Sequence, residues 1–223
     1  MKRALAVLIL VIAAVGVAGA WYLRGGESVI HRPSPLEVKG QVLARLGAMD
    51  CYSYAQDVTV QAGNVTVKSH VDGGFSNGTY YFHGKRSGME WWGTLRGHHL
   101  VERVSRSGET KNLDVNLTDD ELSAIMMYEP VRLAIRALGS SNKVDISGKV
   151  LTANFTLPEI EGGVQETFSG TIRVRFDGSY RPVEIAVNGK VTSSNRTVKT
   201  ISFSARIKEE CQIPEWEKTL GAG

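Results

Sequence analysis

Leu151-Thr152-Ala153-Asn154-Phe155-Thr156-Leu157 alternates without a break between apolar and polar residues. Successive side chains on a strand point to opposite faces, so this stretch predicts a strand with one covered and one wetted face. The same period of two recurs on both sides of it. Ile172, Val174 and Phe176 alternate with Thr171, Arg173 and Arg175; Val183, Ile185 and Val187 follow, then Ile201, Phe203, Ala205 and Ile207. Upstream, Val58 and Val60 flank Thr59, and Val65 and Val67 flank Thr66. Strands are predicted near 52–61, 64–71, 79–86, 88–96, 99–106 and 109–115, with turn signals at Asp72-Gly73, Asn77-Gly78 and Ser107-Gly108.

Two stretches break this rhythm. Ser34-Pro35-Leu36-Glu37 has the form of a capping box with Pro at the first helical position, followed at helical spacing by Leu36, Val42, Leu43, Leu46 and Met49. Thr118-Asp119-Asp120-Glu121 is a second capping box, with Leu122, Ile125 and Met126 as the apolar stripe and Pro130 as a break from which the helix restarts. The expected fold is α+β. A strongly curved antiparallel sheet of about ten strands, an incomplete barrel, is covered by the N-terminal helix and a kinked central helical segment, the available cover for its apolar face.

Outside this domain, taken as residues 34–212, the chain predicts a membrane-proximal setting. Residues 1–23 begin Met1-Lys2-Arg3 and continue without a charge from Ala4 to Leu23, about 20 residues, long enough to span a bilayer. The basic flank places the N-terminus in the cytoplasm and the rest outside. A cleaved signal peptide is the alternative, since Ala18-Gly19-Ala20 fits a cleavage site. Residues 24–33 form a short polar stem and 213–223 a tail. Five of the eight asparagines, Asn64, Asn77, Asn116, Asn154 and Asn195, stand in N-x-T triplets where chance gives roughly one, so glycosylation outside the cytoplasm is expected. In that setting Cys51 and Cys211 are expected to pair, closing a loop of about 160 residues and contributing about 4–5 kcal/mol; two buried free thiols are the alternative.

The chemistry-bearing residues are sparse. A net charge of +3 with interspersed signs gives no basis for nucleic-acid binding. His98-His99 with Glu102, plus His70 and His83, lack metal-ligand spacing, and adjacent strand residues face opposite ways, so no metal and no other cofactor is expected. No nucleophile motif is present, and Asp119-Asp120-Glu121 is accounted for by helix capping. Of Trp91-Trp92, one ring is expected on the covered face and one toward water. Met126 and Met127 are either core or an adaptable apolar lining.

The order of elements, the helix running into Cys51-Tyr52-Ser53-Tyr54, the aromatic stretches Tyr80-Tyr81-Phe82 and Met89-Glu90-Trp91-Trp92, and the late Phe176-Asp177-Gly178-Ser179-Tyr180-Arg181-Pro182 turn resemble the superfamily of periplasmic lipoprotein carriers (LolA-like), with RseB-type regulators and LppX/LprG lipoproteins. The resemblance covers roughly residues 34–210. It implies an incomplete barrel plugged by helices, a hydrophobic cavity and no catalytic motif; the N-x-T sites and plain anchor look more like an archaeal surface member. The expected function is a non-enzymatic, membrane-anchored extracytoplasmic domain. It binds a membrane lipid or a lipid-modified protein in a cavity lined by Phe82, Trp91, Trp92, Met126, Met127, Phe155, Phe176 and Phe203. A ligand-free sensor or interaction domain with a membrane-protein partner is the alternative, and an enzyme is the third class.

Intact mass measured without reductant should fall below that of the reduced chain by the two thiol hydrogens. Two free thiols in native material would remove the bridge.

Overall fold

Ser34 caps the first described helix as the sequence requires. The structure, a computed structural model, describes residues 33–161, 164–193, 196–210 and 215–216. Segment 1–23, all of the stem but Pro33, Asn195, Cys211 and most of the tail lie outside these residues, so the expectations placed on them stay expectations. The Ser34 hydroxyl accepts from the Glu37 N–H at 3.3 Å and the Glu37 carboxylate accepts from the Ser34 N–H at 2.6 Å. Such a cap contributes about 1 kcal/mol and starts α1 (Pro35–Gly47). Its buried stripe is Val38, Val42 and Leu46. Leu36, expected on that stripe, is 60% exposed, because the helix turns Val38 inward instead.

After α1 the chain forms a meander: β1 (Cys51–Ala62), β2 (Val65–Ser76), β3 (Thr79–Arg86), β4 (Met89–Arg96), β5 (His99–Arg106) and β6 (Glu109–Asn116). Asn77 and Gly78 close the β2–β3 hairpin at φ of 51° and 77°, and Ser107-Gly108 closes β5–β6 the same way. Gly63-Asn64 forms the first hairpin turn, so Asn64 sits on a tip rather than on the strand expected from residue 64. Asp72-Gly73 is not a turn. β2 runs through it to Ser76, and the Tyr54 ring of β1 lies where a Gly73 side chain would be.

The expected kinked helix is two helices. α2 (Asp119–Met126) is capped by Thr118, whose hydroxyl accepts from the Glu121 N–H. α3 (Pro130–Ser140) starts afresh with Pro130 at its first turn and Glu129 as its cap. A second meander follows: β7 (Val144–Ser147), β8 (Val150–Glu161), β9 (Val164–Phe176), β10 (Pro182–Ser193) and β11 (Arg196–Lys208). β11 returns to pair antiparallel with β1, giving one open sheet in the order β6-β5-β4-β3-β2-β1-β11-β10-β9-β8-β7. Among the described residues it has eleven strands where about ten were expected, the short β7 after α3 being the strand without a sequence signal.

The inner face of this sheet changes character at β1. From Gln56 toward β8 the cross-strand row reads Ala205, Ile185, Val174 and Leu151, all without exposure. α1 and α3 close this half, with Val42, Leu133, Ala134, Ala137 and Leu138 in the shared core. From Gln56 the other way the row reads Val71, Gly84, Trp91, Val104 and Lys111. Here glycines face aromatic rings on the adjacent strand. A Cβ on Gly84 would fall within the Trp91 ring, and one on Gly93 within the Phe82 ring. Missing side chains let the rings lie across the neighbouring strand instead of standing away from it.

Gly84→Ala should therefore lower stability by about 1–3 kcal/mol through overpacking, measured as a lower urea midpoint. Gly40→Ala, on the exposed side of α1 with nothing within 4 Å, should instead stabilise by up to about 1 kcal/mol. Equal effects at the two positions would remove this account of the strand glycines.

Candidate functional site: an apolar cleft beside α2

Because α2 is short and buries none of its residues completely, it covers the N-terminal half of the sheet without filling it. A cleft of about 560 Å³ remains between the inner face of β1–β5 and the edge formed by Ala124, Ile125, Met126 and Tyr128. This lies within the size range of small-molecule sites, about 300–1,000 Å³. Its floor is set by strand parity. Tyr54 and Val58 come from β1, Val71 from β2, Phe82 from β3, Trp91 from β4 and Leu100 from β5.

Of the residues expected to line a cavity, the fold brings three together here: Phe82, Trp91 and Met126. Met127, one residue on, turns into the core at 4% exposure. Phe155, Phe176 and Phe203 stand on β8, β9 and β11, inside the filled half. Trp92 takes the opposite face from Trp91 and stacks on His83, with ring centroids 5.3 Å apart and planes 3° from parallel. Trp216 approaches the same His83 edge-on at 6.4 Å.

Two carboxyl groups face the cleft: Glu129, not singled out in the sequence, and Glu102, weighed there only beside His98-His99 as a metal grouping. Glu129 is buried but partnered, accepting from the Val131 N–H at 3.3 Å and the Arg132 N–H at 2.6 Å as the cap of α3. Burial nevertheless pushes its pKa up to about 7 from an ordinary 4.5, against the lowering effect of those hydrogen bonds. Tyr52 lies beside it. Its hydroxyl is buried, makes no geometrically sound hydrogen bond among the described residues, and is pushed far up in pKa by burial first and by the Glu129 charge second. Arg132 instead donates from Nε to the Tyr80 hydroxyl. Glu102 is half-buried on β5, and burial alone raises its pKa. Its signal was legible in Leu100-Val101-Glu102-Arg103-Val104, where a charge interrupts the apolar phase. The signal for Glu129 was an acid directly before a helix-starting Pro.

A larger, more open depression of about 810 Å³ is walled by Asp57, Lys68, His70, Lys85 and Glu90, which point to the opposite face of the same strands. Its charges neutralise one another, Lys85 with Glu90 at 3.1 Å and His70 with Asp57 at 2.7 Å. The apolar cleft is therefore the stronger candidate. His98 and His99 turn to separate carboxylates, Asp119 at 3.6 Å and Asp114 at 2.7 Å. Among the described residues no group of three or more potential ligands could hold a metal ion. Nor is any described helix long and apolar enough to cross a membrane. Asn64, Asn77, Asn116 and Asn154 are all exposed.

No protein-family model matches the chain, and no curated protein matches it in sequence. Solved structures similar to it include a DUF1329 family protein from Desulfovibrio piger, with 8% identity over 82% of this chain and 97% of that one, at a TM-score of 0.38. A LolA superfamily protein from Nitrosomonas europaea gives 8% identity over 82% and 96%, at a TM-score of 0.36. MucB in the Pseudomonas aeruginosa MucA/MucB complex gives 13% identity and a TM-score of 0.31; the likeness covers 83% of this chain and 61% of MucB. None of these organisms is archaeal, so the expected archaeal affiliation has no support among them. At such TM-scores and identities the likenesses carry no weight for function.

Glu129 binds a proton more tightly in the folded chain than in the unfolded one, so folding takes up a proton between its ordinary 4.5 and about 7. Its contribution is most favourable below that window, is lost as pH rises through it, and is level above; the full change is at most about 3 kcal/mol. Denaturant titrations across this range should show wild-type stability falling relative to Glu129→Gln as pH rises. Parallel profiles would remove the assignment.

Proposed function

We propose that this chain is a membrane-anchored extracytoplasmic domain that binds a hydrophobic ligand, a lipid or a lipid-modified protein, in the cleft between β1–β5 and α2. The observation that carries the reading is the cleft itself, where Phe82, Trp91 and Met126 converge beside a filled core. Rings laid across glycines make a broad apolar floor, and methionine with isoleucine on α2 makes an adaptable wall. The reading is non-enzymatic: the wall presents no nucleophile paired with a base. Segment 1–23 holds the domain at the membrane, or is removed as a signal peptide. The exposed sequons carry glycans away from the cleft, since Asn64 and Asn77 stand on hairpin tips and Asn154 on the outer face.

A Cys51–Cys211 bridge belongs to the same reading. Running the β1–β11 register onward from Ser53↔Lys208 sets Cys51 opposite Glu210, the residue before Cys211. The bridge would hold the two meanders together at the start of β1.

A second reading, an interaction domain that meets a membrane protein, is favoured by one observation. His83, Trp92 and Trp216 group on the outer face, where aromatic rings suit a protein interface.

Full-length protein recovered from its native membrane, then extracted with organic solvent and analysed by mass spectrometry, should release lipid in near-stoichiometric amount. Met126→Glu should abolish that lipid while leaving the thermal midpoint nearly unchanged. Lipid-free wild-type protein would overturn the carrier reading, and unfolding of the variant would assign Met126 to the core.

A further inference from the structure

The walls of the cleft are apolar except at a few positions, and those positions are not equivalent. Glu129 has its carboxylate taken up by two N–H groups of α3. Glu102 has no such partners. Its cross-strand neighbours on the inner face are Gly93 and Leu113, neither of which offers a side-chain donor. Among the described residues its carboxyl makes no hydrogen bond and no ion pair. The remaining full charge on the wall is Arg86. Arg86 lies four residues along β3 from Phe82, the β3 residue in the cross-strand row of Glu102, so the two are separated by about 13 Å along the strands. The tyrosines Tyr54, Tyr80, Tyr81 and Tyr128 complete the titratable groups facing the cleft.

We propose that the cleft takes a lipid-like amphiphile whose head bears a primary ammonium, with Glu102 as the anchor of that head. This rests on the cleft being a ligand site, and it adds the class of ligand. The apolar chain lies against Phe82, Trp91, Ile125 and Met126, and the ammonium donates to the Glu102 carboxylate beside the Phe82 ring that lies across Gly93. An anionic head at this position would face a like charge, and a neutral one would leave the carboxylate without compensation. Burial disfavours the ionised form of Glu102, and a bound cation restores it.

The full-length chain in lipid nanodiscs, with empty nanodiscs subtracted, can be titrated calorimetrically near neutral pH with octylammonium, octanol and octanoate. Octylammonium should bind about tenfold more tightly than octanol, since a hydrogen bond to a charged group contributes that much discrimination, and octanoate should bind least. Glu102→Gln should bring octylammonium down to the affinity of octanol and leave octanol itself unchanged, which also shows that the variant is folded. Equal affinity for the three heads in the wild type, or a preference that survives in Glu102→Gln, would overturn the proposal while leaving the cleft a hydrophobic site. Failure of all three to bind would remove the cleft as a ligand site and the proposal with it.

Discussion

Everything in this fold depends on the ladder between β1 and β11. It pairs Ser53 with Lys208 and Gln61 with Thr200, joining residues from opposite ends of the domain, whereas every other strand pairs with its neighbour in sequence. Each meander can form locally. The ladder must bring distant segments together before its contacts repay the loss of chain entropy. Register here is unforgiving. A slip of one residue would carry Tyr54, Gln56 and Val58 to the wetted face and Ala55 and Asp57 to the covered one. Gln56 helps hold the register, since it is almost fully buried and its Nε2 donates to the Tyr128 carbonyl at 3.2 Å in the link between α2 and α3.

That seam also divides two kinds of interior. On the β11 side the inward row through Gln56 is aliphatic throughout, glycine standing inward at Gly170 and Gly189 in the row through Val60, and α3 brings Ala134 and Ala137, small enough for close approach. On the β2 side, glycines, rings lying across them and charged residues replace the aliphatic set. The helical cover is correspondingly unequal. α3 buries most of its residues, while α2 leans against the sheet with none fully covered. A cleft persists where the floor is laid with flat rings and the lid is too short to meet it.

Within the cleft, one residue type does two jobs according to what surrounds it. Glu129 closes a helix N-terminus, where the backbone N–H groups and the helix dipole oppose the cost of burying a carboxyl. Glu102 sits on a strand whose backbone groups are already engaged in the ladder, so its carboxyl faces the apolar space with no local compensation. The position of a carboxyl relative to free backbone donors decides whether it serves the fold or is left to meet something else.

The sequence by itself determined the element types and most of their ends. Alternation set the strands, capping boxes at Ser34 and Thr118 set two helix starts, and Asn77-Gly78 set a hairpin, because these depend on local backbone geometry. It also separated Trp91 from Trp92, since strand parity is local. Its error at Asp72-Gly73 came from the ambiguity of glycine, which serves a turn or a close approach equally well and is decided by what crosses it, here the Tyr54 ring. Only the tertiary structure decided which apolar residues became core and which became cleft. Phe155 and Phe203 carry the same local pattern as Phe82, yet they lie on the other side of the β1–β11 seam. Burial is a property of what packs against a side chain, and that neighbour is chosen by pairings far apart in the chain.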